Sequence, residues 1–108
     1  MSRLPVRWSK EASLDLIEIV EFVGQDQPSA ARKLGRAILA AASRLKQNPR
    51  RGKVVPELWE QGISDYRQLT LSAYRIIYSV RADSVGILAV VDSRRDLHLA
   101  LFQRLIRS

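Results

Sequence analysis

The 108 residues predict an α+β domain: an N-terminal strand, an antiparallel helical hairpin packed on an antiparallel sheet of about four strands, and a C-terminal helix. Apolar residues recur at helical spacing through the first half of the chain and give way after residue 65 to strand-length runs rich in β-branched and aromatic residues. The gaps between those runs are two and three residues long, which makes them an antiparallel meander. The near-continuous apolar run over residues 86–91 suits a central strand.

Residues 4–8 alternate apolar and polar side chains and form the first strand, with Ser9 placed to cap a helix. That helix has Ala12, Leu16, Ile19, Val20 and Val23 on one stripe and Glu11, Asp15 and Glu18 on another, and Gly24 stops it. Asp26 or Gln27 before Pro28 starts a second helix, whose core stripe of Leu34, Ala37, Ile38, Ala41 and Leu45 runs until Asn48-Pro49. Residues 48–63 hold two prolines and two glycines and read as a loop with one short helical turn near residues 56–60. Residues 66–71, 74–81 and 85–91 are the three meander strands. Residues 96–107 return to helical spacing, with Leu97, Leu101 and Leu105 on one side, and are too short to hold a helix unless docked or bound by a partner.

The length fits one domain over residues 1–108, with one modest core. A hydrophobic fraction of 46% argues for a packed globule, and no apolar run approaches the roughly 20 residues that cross a bilayer. The chain has no cysteine and its first residues lack a secretory apolar region, so a cytoplasmic location is expected, with no membrane partner. The net charge of +7 is unevenly spread. Residues 27–56 carry Arg32, Lys33, Arg36, Arg44, Lys46, Arg50, Arg51 and Lys53 without an acid, whereas residues 1–26 sum to −2. With 14 arginines to 4 lysines, that field suits bidentate contacts to phosphate or carboxylate, on nucleic acid or on an acidic protein. The alternative is a solvated basic face that only keeps the protein in solution.

Several segments, taken in order, resemble the RelE/ParE superfamily of bacterial toxin–antitoxin pairs. They are the stretch from Val6-Arg7-Trp8-Ser9-Lys10-Glu11-Ala12 to Leu16-Ile17, then Leu45 with Asn48-Pro49-Arg50-Arg51-Gly52 and Pro56-Glu57-Leu58. Tyr66-Arg67-Gln68-Leu69, Tyr74-Arg75-Ile76-Ile77-Tyr78 and Arg94-Arg95-Asp96-Leu97 complete the match. The resemblance implies one of two activities on a shared fold. RelE-like members are ribosome-dependent messenger-RNA endonucleases, and ParE-like members inhibit DNA gyrase.

For a nuclease, Arg67, Arg75 and Arg95 would hold the scissile phosphate, joined by Arg94, and Asp92 would stand where many members have a histidine base. The lysines flanking the first meander strand in RelE-like enzymes are missing, and the terminal tyrosine is replaced near Leu101, with Phe102 adjacent. The resemblance therefore favours the ParE branch, with Arg75, Arg94, Arg95 and Phe102 as target contacts. It implies a ParD-like antitoxin, for which Arg32, Arg36, Arg50, Arg51, Leu97 and Leu101 are the candidate contacts. The partners on this reading are antitoxin and gyrase, or else the ribosome and messenger RNA. A basic nucleic-acid-binding module without toxicity is a third reading, weakened by the lack of a recognition-helix motif.

Each residue has a structural alternative. Arg75 alternates with apolar neighbours and would pair with Glu57, Asp65 or Asp92, and Asp92 would orient Arg94 or Arg75. Arg94 and Asp96 would cap the terminal helix. His98, the sole histidine in a chain without cysteine, cannot make a conventional zinc site, so neither metal nor organic cofactor is expected. Trp8 and Trp59 read as core or rim anchors, and Tyr74 and Tyr78 as packing on the sheet.

Overall fold

A computed structural model describes residues 3–94, 101 and 103–105. The chain runs β1 (Val6–Trp8), α1 (Lys10–Gly24), α2 (Pro28–Ser43), a 3₁₀ turn (Arg44–Lys46), β2 (Lys53–Val54), α3 (Pro56–Trp59), β3 (Tyr66–Leu71), β4 (Tyr74–Val80) and β5 (Val85–Asp92). Leu101 and residues 103–105 are helical, on the terminal segment where a helix is expected. The α+β class and the antiparallel meander stand as read. Two features of the sheet differ. It has five strands in the order β1-β5-β4-β3-β2, and β1 pairs with β5 in parallel. β2 is two residues inside the stretch read as loop, and so short a strand leaves no periodic signal. The parallel pair joins strands distant in sequence, so residue patterns within either one carry no trace of it.

Ser9 caps α1 as expected, its hydroxyl accepting from the Ala12 amide at 3.0 Å. α2 begins with Pro28 at its first turn, where a missing N–H costs nothing. It tightens to 3₁₀ geometry after Ser43, short of the expected end at Asn48. α3 closes with a Schellman arrangement: Ile63 N–H donates to the Leu58 carbonyl and Gly62 N–H to that of Trp59, both at 2.9 Å. Gly62 supplies the φ of +78° this requires. Trp59, at 57% exposed, is no core anchor, whereas Trp8 packs on the core.

The sheet is buried on both faces. Between hairpin and sheet lie Ala12, Ile38, Ala42, Leu45, Ile76, Tyr78, Val85 and Ile87. On the opposite face Val55, Leu58, Ile77, Leu88, Ala89 and Leu101 form a second cluster. A bulge explains how β5 serves both. Ile77 pairs with Ala89 but Tyr78 pairs with Ile87, so Leu88 is the extra residue and the side-chain alternation reverses across it.

One knot ties β4 to the loop before β2. The buried Tyr78 hydroxyl accepts from the Gly52 amide at 2.8 Å, and Arg67 Nη1 donates to the Gly52 carbonyl at 2.7 Å. A Cβ at position 52 would sit 2.5 Å from the Gln68 carbonyl oxygen and 2.6 Å from the Tyr78 hydroxyl. Gly52→Ala is therefore expected to destabilise the fold by about 1–3 kcal/mol in urea unfolding. Burial pushes the Tyr78 phenol above its ordinary 10.0, against smaller opposing effects of the Gly52 amide and Arg67. The folded state thus holds this proton more tightly than the unfolded chain, so the stabilisation is complete below pH 10.0 and disappears as pH rises through the raised value. Tyr78→Phe should cost about 1–3 kcal/mol at neutral pH, by stranding the Gly52 amide, yet lose less stability than the parent between neutral and strongly alkaline pH.

Candidate functional site

The residues singled out at the strand ends meet around β4. Arg75 lies between Thr70 of β3 and Val91 of β5, and Tyr74 is opposite Asp92. A charged side chain in the interior strand of a sheet covered on both faces needs a partner, and α3 delivers one. Arg75 Nη1 and Nη2 donate to Glu57 Oε1 and Oε2 at 2.9 and 2.6 Å, and Nη1 also donates to Gln68 Oε1 at 2.9 Å. The two side chains are 9% and 15% exposed, so this bidentate pair is nearly closed to solvent. Arg75 Nε is buried without a hydrogen-bond partner among the described residues. Of the three acids proposed for Arg75, Glu57 is the one that engages it.

Asp92 takes the other structural role suggested for it. Its carboxylate accepts from the Arg94 backbone amide at 2.9 Å, from Nε at 3.2 Å and from Nη2 at 2.9 Å. Arg94 remains 82% exposed, its charge held out from the end of β5, and the hydrogen bonds it donates to Asp92 raise its guanidinium above the ordinary value. Arg67 is half-buried and anchored to Gly52. Arg95, Leu97 and Phe102 lie outside the described residues, as do Asp96 and His98.

The basic residues grouped as one rim diverge. Arg32 and Arg36 are exposed one turn apart on α2. Arg51 lines a small groove with Arg44 and Ala41, whereas Arg50 lines a cleft with Asp65 and Arg81 on another side of the sheet. Leu101 is 2% exposed and sits in the second core, with Leu105 packed against it, so these two leucines are docked rather than presented as an open patch.

That docking uses residues whose role the sequence did not disclose. Asp15 Oδ2 accepts from the Val90 amide at 3.0 Å and from Arg104 Nη1 at 2.7 Å, and Arg104 Nη1 also reaches the Leu88 carbonyl at 3.2 Å. Glu11 joins at 3.1 Å from Arg104 Nε. Burial alone would lower the Arg104 guanidinium, but Asp15, Glu11 and Glu18 together raise it above the ordinary value. Glu11 and Asp15 read in sequence as a solvent stripe. The signal was the bonding need of the β5 edge, which periodicity does not report. Among the described residues no group of three His, Cys, Asp or Glu could hold a metal ion, and no helix is long and apolar enough to cross a membrane.

Residues 6–97 match the family model described as "ParE toxin of type II toxin-antitoxin system, parDE". Among solved structures, the chain is similar to one titled "Chromosomal ParDE TA system from P. aeruginosa", with a TM-score of 0.69 at 22% identity, over 83% of this chain and 96% of that one. At that identity the likeness bears on the fold. No curated protein matches the chain.

The Glu57–Arg75 pair is testable by a double-mutant cycle. Glu57→Leu or Arg75→Met alone should cost about 3–5 kcal/mol in urea unfolding, because each leaves a buried charge unpaired, and the double variant should cost clearly less than the sum. Arg94→Ala should leave the urea unfolding midpoint unchanged, as its pair is open to water.

Proposed function

We propose that this chain, which belongs to the ParE toxin family of type II toxin–antitoxin systems, acts by inhibiting DNA gyrase in the cytoplasm and is neutralised by a ParD-like antitoxin. The observation that carries the choice of target is the state of the strand-end arginines. Ribonucleolytic chemistry needs cationic groups free to meet a phosphate in the transition state and a base positioned for the attacking hydroxyl. Arg75 is buried in its pair with Glu57, Arg67 is bonded to Gly52, and Asp92 is chelated by Arg94. Of the arginines that the resemblance singles out as target contacts, Arg94 is the described one that projects into solvent, which suits a protein contact. The messenger-RNA endonuclease reading keeps charge at the site but finds no arranged proton-transfer pair among the described residues.

For the antitoxin, the outer surface of the hairpin supports the proposal. α2 exposes Arg32 and Arg36 with Leu39 a turn further on, and α1 exposes Leu14, Ile17 and Phe22. An amphipathic acidic segment would meet both its needs there.

Two measurements test the reading. In parallel assays of the purified chain, gyrase supercoiling is expected to be inhibited while messenger RNA on translating ribosomes stays intact, and Arg94→Glu should weaken inhibition by about tenfold or more. Ribosome-dependent cleavage without inhibition would replace the gyrase proposal with the nuclease one. Separately, the double variant Arg32→Glu, Arg36→Glu should lower antitoxin affinity by about tenfold or more in titration, chiefly through slower association at low salt. Unchanged affinity would move the antitoxin surface elsewhere.

A further inference from the structure

At the end of the sheet remote from Arg75 and Arg94, on the face away from the hairpin, a single row crosses four strands: Arg7 of β1, Gly86 of β5, Ser79 of β4 and Tyr66 of β3. Their neighbours Val6, Trp8, Val85, Ile87, Tyr78 and Val80 pack toward the hairpin, which fixes the direction of the row. Gly86 has no side chain, so the row contains a trough between Arg7 and Ser79. With Arg81 these residues line a cleft of about 270 Å³ that has no acidic wall. A second cleft of about 480 Å³ shares Tyr66, Ser79 and Arg81 in its lining and is walled further by Arg50, Arg67 and Asp65.

The chemistry of this cleft differs from that of the strand-end cluster. Arg67, Arg75, Arg94 and Arg104 each bond a carboxylate or a carbonyl. The guanidinium groups of Arg7, Arg50 and Arg81 make no ion pair or hydrogen bond among the described residues. Ser79 is 6% exposed, and its hydroxyl likewise has no hydrogen-bond partner in the described chain. A hydroxyl without an internal partner, open to a cleft flanked by two unpaired arginines, marks a place for an anion. Burial also raises the Tyr66 phenol above 10.0, against the opposing charge of Arg81, which keeps its proton available for donation.

We propose that the two clefts bind a nucleoside triphosphate, its phosphates in the smaller one between Arg7 and Arg81 and its nucleoside in the larger one. The smaller cleft offers two planar forks with matching geometry for phosphate oxygens, and the Ser79 and Tyr66 hydroxyls between them. The larger cleft holds Asp65, which repels phosphate but accepts hydrogen bonds from ribose hydroxyls or an exocyclic amine. Arg50 and the Tyr66 ring provide surfaces on which a base stacks. The larger cleft, at about 480 Å³, falls within the span of about 300–1,000 Å³ usual for small-molecule sites. The site is independent of the gyrase contact proposed at Arg94.

Calorimetric titration of the full chain with ATP, tripolyphosphate, adenosine and a six-nucleotide single strand tests it. ATP should bind more tightly than tripolyphosphate, and adenosine should show no measurable heat. Arg7→Glu and Arg81→Glu should each weaken ATP by about tenfold or more, and the exposed Lys33→Glu, with the same charge change, by less than about twofold. Gly86→Ala should also weaken ATP, because its Cβ, 3.5 Å from Ser79 Oγ, enters the trough without disturbing the fold. Circular dichroism checks that each variant is folded. Equal losses in all three charge variants would reduce the effect to net charge and overturn the proposal, as would no ATP binding. A single strand binding more tightly than ATP and losing affinity at Arg7 and Arg81 would overturn the nucleotide in favour of a nucleic-acid backbone.

Discussion

The buried charge of Arg75 is the constraint on which the second half of the structure depends. An arginine in an interior strand, with apolar clusters on both faces of the sheet, is tolerable when its guanidinium is matched by a carboxylate and further acceptors. Glu57 supplies the carboxylate, and it sits on a four-residue helix that has no stability of its own. The ion pair therefore fixes α3 over the sheet, and α3 in turn places Leu58 beside Ile77, Leu88 and Leu101. Replaced by apolar residues together, the pair would leave that core intact. Broken on one side, it would open the lid of the second core.

A second constraint comes from the shortness of β1. Three residues pair with β5 up to Ile87, and β5 continues to Asp92. The remaining edge is met by one backbone amide and by side chains. The Ser9 amide donates to the Ile87 carbonyl, the Ser9 hydroxyl and Arg104 reach the Leu88 carbonyl, and Asp15 accepts from the Val90 amide. An edge treated this way cannot recruit another strand. The same bonds join α1 to the terminal helical segment, so the hairpin on one face and the second core on the other are coupled through β5.

These two arrangements show what the sequence could and could not disclose. Helical and strand periodicity located the hairpin and the meander, because each has a face set by its own neighbours in sequence. β2, the parallel β1–β5 pair and the second core depend on contacts between distant segments, and no local period encodes them. The residues of the site divide the same way. Arg75 and Asp92 were visible as charges at the ends of apolar strands, and Glu57 was one of three named partners for Arg75. Asp15 looked like any exposed acid on an amphipathic helix, and the bulge at Leu88 that orients its bonding partners has no sequence mark. Leu101 was placed on an apolar stripe, but whether that stripe met its own core or another protein is a matter of tertiary packing.

The fate of the arginines then separates architecture from recognition. A guanidinium already bonded to a carboxylate or carbonyl offers little to a ligand, because binding must first break the internal bond. By that criterion Arg67, Arg75 and Arg104 belong to the fold, although the first two stand in the segments most like the toxin superfamily. Arg94 is intermediate, chelated by Asp92 yet almost wholly in solvent, so its pair presents the cation at little energetic cost to its release. Arg32 and Arg36 on the hairpin, and Arg7, Arg50 and Arg81 around the cleft, have no such carboxylate among the described residues. Three places therefore present arginines available to partners, and these differ in what surrounds the charge: apolar side chains on the hairpin, open water at Arg94, and the Ser79 and Tyr66 hydroxyls in the cleft. Those surroundings, more than the charge itself, set the chemical class each surface is fitted to bind.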